Sequence, residues 1–409
     1  MNKITDNRYH FIPYRKCDII EMCLQENPLV GQEKDFRQLC SMLGGIFHFE
    51  FYQVIESMKD AYAAIDPDAD TFAYKNVECS TDISFPEVLG GLLKKANYEQ
   101  VTQVDLDQAM KEHSMFKIRL QVDFDDFSEV LLFCRGVSIR AEKVKTWMGL
   151  RSESIEFTNY DRVVVYIRFK ENYDQSKNPM PCCKPGATLL KLFQNVPKAD
   201  LEMLFPNTRV RMRMVDKLLI GIPAIVSGGI VLTTKLGASL VLLGSLFGFW
   251  FGISNQAVEL NKTTAMVLLA GIAALGGYLW KQFNNFKNRK LRFMQTLTQN
   301  LYFKNLDNNA GVFYRIADDA EEEECKESIL AYYFLSISDE PLTKIALDKI
   351  IEEWFVVKWG RAIDFEIDDA LHKLLALGLV NVSDNKFTAV SPEQGVSKLD
   401  QRWDDYFTC

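Results

Sequence analysis

The sequence lacks the residues and spacings by which most active sites are recognised. Its four histidines, at 10, 48, 113 and 372, are scattered, with no carboxylate or cysteine at ligand spacing, so no metal site can be read. The nine cysteines form no CxxC pair. Cys182 and Cys183 are adjacent, and neighbouring cysteines bridge each other only with strain. An odd, unpatterned set fits a reducing compartment and small buried hydrophobes. GxSxG, P-loop and HExxH motifs are absent, and no cofactor is expected. A basic excess is missing too: 47 Lys and Arg stand against 55 Asp and Glu, a net charge of -8. That balance makes nucleic acid an unexpected partner. The first thirty residues mix both charges without an apolar core, unlike a secretory signal, and their acids are unlike a transit peptide.

What is present is ordinary globular material, 48% hydrophobic and 25% charged. At about 100–200 residues per domain, 409 residues make two or three domains. Apolar residues at three- and four-residue steps predict helices over 18–24, 36–64, 85–96 and 105–112, with Ser84 and Thr102 as caps. From Lys117 the period becomes two. Strands are predicted over 117–124, 129–134 and 162–170, with a turn at Asp125-Asp126 and a loop over 172–186. Short helices are predicted over 188–193 and 200–206.

Between Leu218 and Trp280 the only charged residues are Lys235, Glu259 and Lys262. The expectation is two membrane spans, 237–253 and 265–280, preceded by an interfacial lead-in over 218–234. Both flanks are basic, so an even number of crossings is preferred to three. Gly244, Gly248 and Gly252 repeat as GxxxG on one helical face and are candidates for helix packing within the hairpin or between copies. No charge lies inside either span, which points to an anchor rather than an ion path.

Beyond residue 284 a connecting segment runs to 325. It contains the turn-rich Asn305–Gly311 and the acidic run Asp318-Asp-Ala-Glu-Glu-Glu-Glu, read as complementing the dipole of a helix that starts near Cys325. Helices over 326–336, 342–359 and 367–377, with Gly378 as cap, then lead to a hairpin about Asp384-Asn385. Together they describe a winged-helix-like domain over 326–409. Glu366, Asp368 and Asp369 at the start of its third helix oppose phosphate binding, against His372 and Lys373. The predicted fold class is thus an α+β membrane protein. An N-terminal region over 1–216 carries a small antiparallel sheet, a membrane segment occupies 217–283, and the winged-helix-like domain closes the chain.

Several motifs recur in an order that is similar to the uncharacterised transmembrane protein 143-like family, a domain of unknown function. They are Arg8-Tyr-His-Phe-Ile-Pro, Val165-Tyr-Ile-Arg-Phe, Leu190-Lys-Leu-Phe, Val196-Pro-Lys-Ala-Asp-Leu-Glu-Met-Leu-Phe-Pro, Gln299-Asn-Leu-Tyr-Phe-Lys-Asn-Leu-Asp-Asn-Asn, Ala320-Glu-Glu-Glu-Glu and Asp364-Phe-Glu-Ile-Asp-Asp-Ala-Leu. The resemblance covers nearly the whole chain and implies no activity and no catalytic residue. With no transit peptide it implies a bacterial member, in the cytoplasmic membrane, multi-pass, with both termini cytoplasmic.

The function expected is that of a membrane-anchored interaction or scaffold protein, its partners the lipid bilayer and a protein or a second copy. One alternative is a membrane-bound enzyme using the polar residues Arg135, Asp307, Asn308, Asn309 and Asp319. Another is a membrane-tethered winged-helix regulator.

Overall fold

The computed structural model describes residues 9–25, 29, 31–70, 84–102, 119–146, 151–177, 183–211, 237–252 and 261–406. The predicted helix over 105–112 and the lead-in over 218–234 lie outside these residues. The chain divides into two compact units, one of residues 1–113, 123–207 and 304–409 and the other of 114–122 and 208–303.

The first unit opens with helices α1 (Lys16–Leu24), α2 (Glu33–Ala63) and α3 (Phe85–Lys95). Ser84 and Glu87 close a capping box on α3, and Pro86 sits in its first turn, where the missing N–H is harmless. Its strands are β1 (Glu99–Gln100), β3 (Phe127–Thr146), β4 (Arg151–Phe169), β5 (Thr188–Pro197) and β7 (Asn305–Asn308). They form one antiparallel sheet in the order β1-β3-β4-β5-β7. Val163, Val164, Val165, Tyr166 and Ile167 of β4 are all buried. A strand covered on both faces reads as an unbroken apolar run, which is how this segment is written. The same property misled the reading of 188–193: Thr-Leu-Leu-Lys-Leu-Phe is a buried strand of β5, not a helix. A 3-10 turn over Lys198–Leu204 follows and packs on β4 and β5.

The chain then continues through α6 (Ala310–Ser336), β8 (Leu342–Thr343), α7 (Lys344–Trp359), α8 (Ile367–Ala376), β9 (Val380–Ser383), β10 (Lys386–Ala389) and α9 (Pro392–Asp405). β8 joins the β9–β10 hairpin as a third strand. The hairpin turn, Asp384-Asn385, has positive φ at both residues, the geometry whose twist suits adjoining strands. The domain boundary expected at 325/326 falls inside α6. That one helix serves two cores. Val312, Phe313, Ile316, Ala317 and Ala320 pack with α3, the sheet and the far end of α2, whereas Ile329 to Leu335 pack with α1, the near end of α2 and the C-terminal helices. Helix α9, not foreseen in the sequence, lies against α2. A Cβ at Gly395 would drive into Leu39 of α2 and stand 3.5 Å from the Tyr332 hydroxyl. Gly395→Ala is therefore expected to lower stability by about 1–3 kcal/mol, read as a lower urea midpoint at unchanged slope.

The second unit contains the short ladder of β2 (Arg119–Gln121) with β6 (Arg209–Arg211), and helices α4 (Gly237–Trp250) and α5 (Lys262–Lys304). Here the sequence expectation is corrected. Among the described residues, no helix is long and apolar enough to cross a membrane. Length is the physical reason: the 14 residues of α4 rise about 21 Å and the run over 265–280 about 24 Å, against an apolar bilayer core of about 30 Å. Nor does a helix end at Trp280; α5 continues through Lys281, Lys287, Arg289, Lys290 and Arg292 to residue 304. The two-span hairpin, the membrane fold class and the multi-pass inner-membrane location with cytoplasmic termini are withdrawn on that finding. Gly244 and Gly248 lie in α4, whereas Gly252 falls beyond its end in a turn with φ +71°. They do not share one helical face.

Candidate functional site

The acidic run lies not at a helix start but in the middle of α6, where Asp318 is exposed and Glu323 and Glu324 face inward. Glu323, Glu324, Lys326 and Glu327 are each under 5% exposed. Charges so deep in a fold need partners, because desolvating an unpaired ion costs several kcal/mol. The partners are present. Glu323 Oε1 accepts from Arg135 at 2.7 Å and from Lys326 Nζ at 2.6 Å, and its Oε2 accepts from the Ile12 backbone N–H at 3.0 Å. Lys326 Nζ also donates to the carbonyls of Ile12 at 2.8 Å and Tyr14 at 3.2 Å. Glu322 takes the Lys16 backbone N–H at 3.1 Å. The N-terminal segment over 9–16 is thereby tied along α6, and its Tyr9 makes an isolated parallel bridge with Ile363.

Arg135 is the hub on the sheet side. It reaches Asp319 at 3.2 Å, and its guanidinium lies 4.5 Å from the ring centre of Phe11 and 5.7 Å from that of Tyr98. The Tyr98 hydroxyl, whose pKa burial raises, donates to Asp319 at 3.4 Å. One turn along, Glu327 accepts from Asn97 Nδ2 at 3.0 Å. Burial outweighs that bond and pushes its carboxyl up to about 8. Lys373 of α8 turns inward, its Nζ 3.0 Å from Glu324 Oε1 but outside hydrogen-bond geometry, with Lys95 at 3.6 Å on the same oxygen. The acids and bases of this cluster hold one another and the N-terminal segment.

Of the polar residues singled out in the sequence, the structure brings Arg135 and Asp319 together. Asp307, Asn308 and Asn309 lie at the other end of α6, about 15 Å away by ten residues of helical rise. Asp307 presses on Gly311, where any Cβ would collide with its carboxylate, and stands 3.8 Å from Arg315. Asn308 pairs with Lys191 in the β5–β7 register. Asn309, at φ +50°, donates its amide to Asp68 and its backbone N–H to the Leu190 carbonyl. These residues make the turn from β7 into α6. Glu323, Lys326 and Glu327 were missed, because consecutive acids look like a solvated face until the helix around them is known.

Exposed apolar side chains among the described residues lie on α4 and α5 of the second unit, Trp250 and Met266 among them, and in the first unit on α7. Thr343 caps its start by accepting from the Ala346 N–H, and Gly360, left-handed at φ +62°, ends it. Leu347, Ile351 and Phe355 face the core. On the outside, Ile345 and Val357 are 79% and 77% exposed, and Val356 and Ile350 are exposed too. At 100° per residue Ile345 and Val356 fall about 20° apart on the helix, and Ile350 and Val357 likewise. Between the two pairs runs Lys349 with Glu353, 3.5 Å apart. The surroundings are acidic. Residues 326–409 hold nine Lys and Arg against fifteen Asp and Glu. Asp348, its carboxyl pushed up to about 6 by burial and then by Glu352 and Asp364, lies on the same helix.

Comparison with known proteins adds one finding. A family model described as "Protein of unknown function (DUF3754)" matches residues 160–311, which run from within β4 to the first turn of α6. No solved structure matches the chain.

Proposed function

We propose that this chain is an interaction protein. Its C-terminal helices present α7, an exposed helix with apolar pairs and an acidic surround, to a basic amphipathic partner helix. The exposure of Ile345, Val356 and Val357 on one helix carries the reading, since it leaves two apolar rows flanking the Lys349–Glu353 pair for an amphipathic partner to cover. Charge chooses the occupant. Fifteen acids against nine bases favour a partner bearing Lys and Arg around an apolar stripe, and disfavour both phosphate and a second copy of the same acidic module. The third helix, α8, exposes Asp368 and Asp369 while Lys373 is withdrawn to Glu324, which speaks against DNA reading. The motif order shared with the transmembrane protein 143-like family is compatible with this role and supplies no activity.

Trp354 and Trp359 on α7 report the test directly. Titrating the full chain with a synthetic Leu/Lys amphipathic helix should change their fluorescence saturably. The affinity should fall at least about tenfold, or about 1.4 kcal/mol, in the Val356→Ser/Val357→Ser double variant. A Leu/Glu helix of equal length should not bind. Equal binding of the two peptides, or an unaltered affinity in the double variant, would refute the proposal. So would a dimer of the full chain, seen by sedimentation, that the same double variant dissociates.

A further inference from the structure

A second feature lies apart from α7, in a groove of about 490 Å³ lined by α1, α2 and Glu321 of α6. Lys16, Arg37 and His48 line it, with Ser41, Gly44 and Gly45 along the α2 side. The carboxylates nearby are already engaged. Glu21 holds the Arg37 guanidinium through both terminal nitrogens, and Glu321 holds His48 Nδ1 at 2.9 Å. Two carboxylate contacts leave further N–H groups of the five that a guanidinium carries. Lys16 differs. Among the described residues its ammonium has no carboxylate within 4 Å, although the residue is half-buried. The ammonium lies where α2 has no side chain, 3.1 Å from the place a Cβ of Gly44 would occupy. The glycine thus leaves room for the cation in an open groove that Arg37 and Ser41 also line. An ammonium at the edge of an open groove, with no carboxylate on it, is placed to take an anion from solution.

We propose that this groove binds a small phosphate-bearing molecule, with Lys16 as the point charge on the phosphate and Arg37 and Ser41 as further donors. Lysine and arginine on one anion are a common way to hold a phosphate dianion, and the volume is within the range of small-molecule sites, about 300–1,000 Å³. Glu21 and Glu321 keep Arg37 and His48 in place and lower the net charge, which selects a small dianion over a polyanion.

Isothermal titration of the full chain with glycerol phosphate, and separately with inorganic phosphate, tests this against sodium chloride at matched ionic strength. Saturable binding is expected, weakened at least tenfold by Lys16→Met, which keeps the stem and removes the charge. Lys16→Met should also keep the urea midpoint of the parent, which shows the fold intact. Gly44→Ala, which displaces the ammonium, should weaken binding as well; should it fail to fold, Lys16→Met decides alone. Tighter binding of the ester than of inorganic phosphate assigns the rest of the groove to the organic part, and equal binding limits the site to the free ion. Heat indistinguishable from that of chloride, or an unchanged affinity in Lys16→Met, overturns the proposal.

Discussion

Glu323→Ala is expected to lower stability by about 3–5 kcal/mol, among the largest effects of any single change in this chain. The side chain is 1% exposed and answers three donors at once: Arg135, Lys326 and the Ile12 N–H. Removing it leaves the Lys326 ammonium desolvated without its counter-ion and the Arg135 guanidinium with Asp319 alone, and frees one anchor of the N-terminal segment. The loss arises from the orphaned charges more than from the bond itself. The combined variant Glu323→Leu, Arg135→Met and Lys326→Met should therefore recover most of it, since an apolar cluster of like volume can replace a buried ion set with little cost. Urea denaturation of the two variants beside the parent checks this. A triple variant as unstable as Glu323→Ala would show that the network holds the N-terminal segment by direction and not merely by charge balance. A Glu323→Ala loss below about 1 kcal/mol would show that the charges are solvated.

The second large effect is a dependence on pH centred on Glu327. Its carboxyl titrates near 8 in the folded chain, raised mainly by burial, against about 4.3 for an unfolded glutamate. Below the unfolded value both states are protonated and the residue adds no pH dependence. As pH rises from about 4.3 to 8 the unfolded chain releases the proton while the folded chain keeps it, so stability falls, by about 1.4 kcal/mol per pH unit. Above 8 both states are ionised and the penalty stays at its full size, on the order of 5 kcal/mol. The groups around it work in both directions. Asn97 and Lys373 favour the carboxylate, and Glu323 and Glu366 oppose it. Glu327→Gln keeps the shape and the Asn97 contact but cannot ionise. The variant should match the parent near pH 4.5 and exceed it at pH 9 by an amount on the order of 5 kcal/mol. Parallel stability curves for the two proteins across that range would place the folded pKa near the ordinary one.

How much of this was legible beforehand follows the physics of each segment. Helices α1, α2 and α3 were readable because their apolar residues recur at helical steps and Ser84-x-x-Glu87 announces a cap. Asp384-Asn385 was readable because few residues besides Asn, Asp and Gly accept two successive positive φ values. By contrast, 188–193 was misread, since a strand buried on both faces loses the alternation that identifies strands. The long apolar stretch after Gly237 was over-read: composition suggested spans, but α4 stops at 14 residues and α5 runs on through a basic segment. In the candidate sites, Arg135 and Asp319 stood out in the sequence. The inward facing of Glu323 and Glu327 did not, because it depends on α6 starting at Ala310, fifteen residues before the helix start expected at Cys325. The exposed Ile345, Ile350, Val356 and Val357 did leave a trace, as apolar residues outside the Leu347, Ile351, Phe355 stripe of α7.

The most direct test of the account is a methyl spectrum of the full chain during titration with the Leu/Lys helix. Progressive shifts of the Ile345, Ile350, Val356 and Val357 methyls are expected, with the buried Ile316 and Ile329 of α6 unmoved. Shifts confined to any other surface, or a spectrum unchanged at saturating peptide, would contradict the assignment of α7 as the contact surface of this protein.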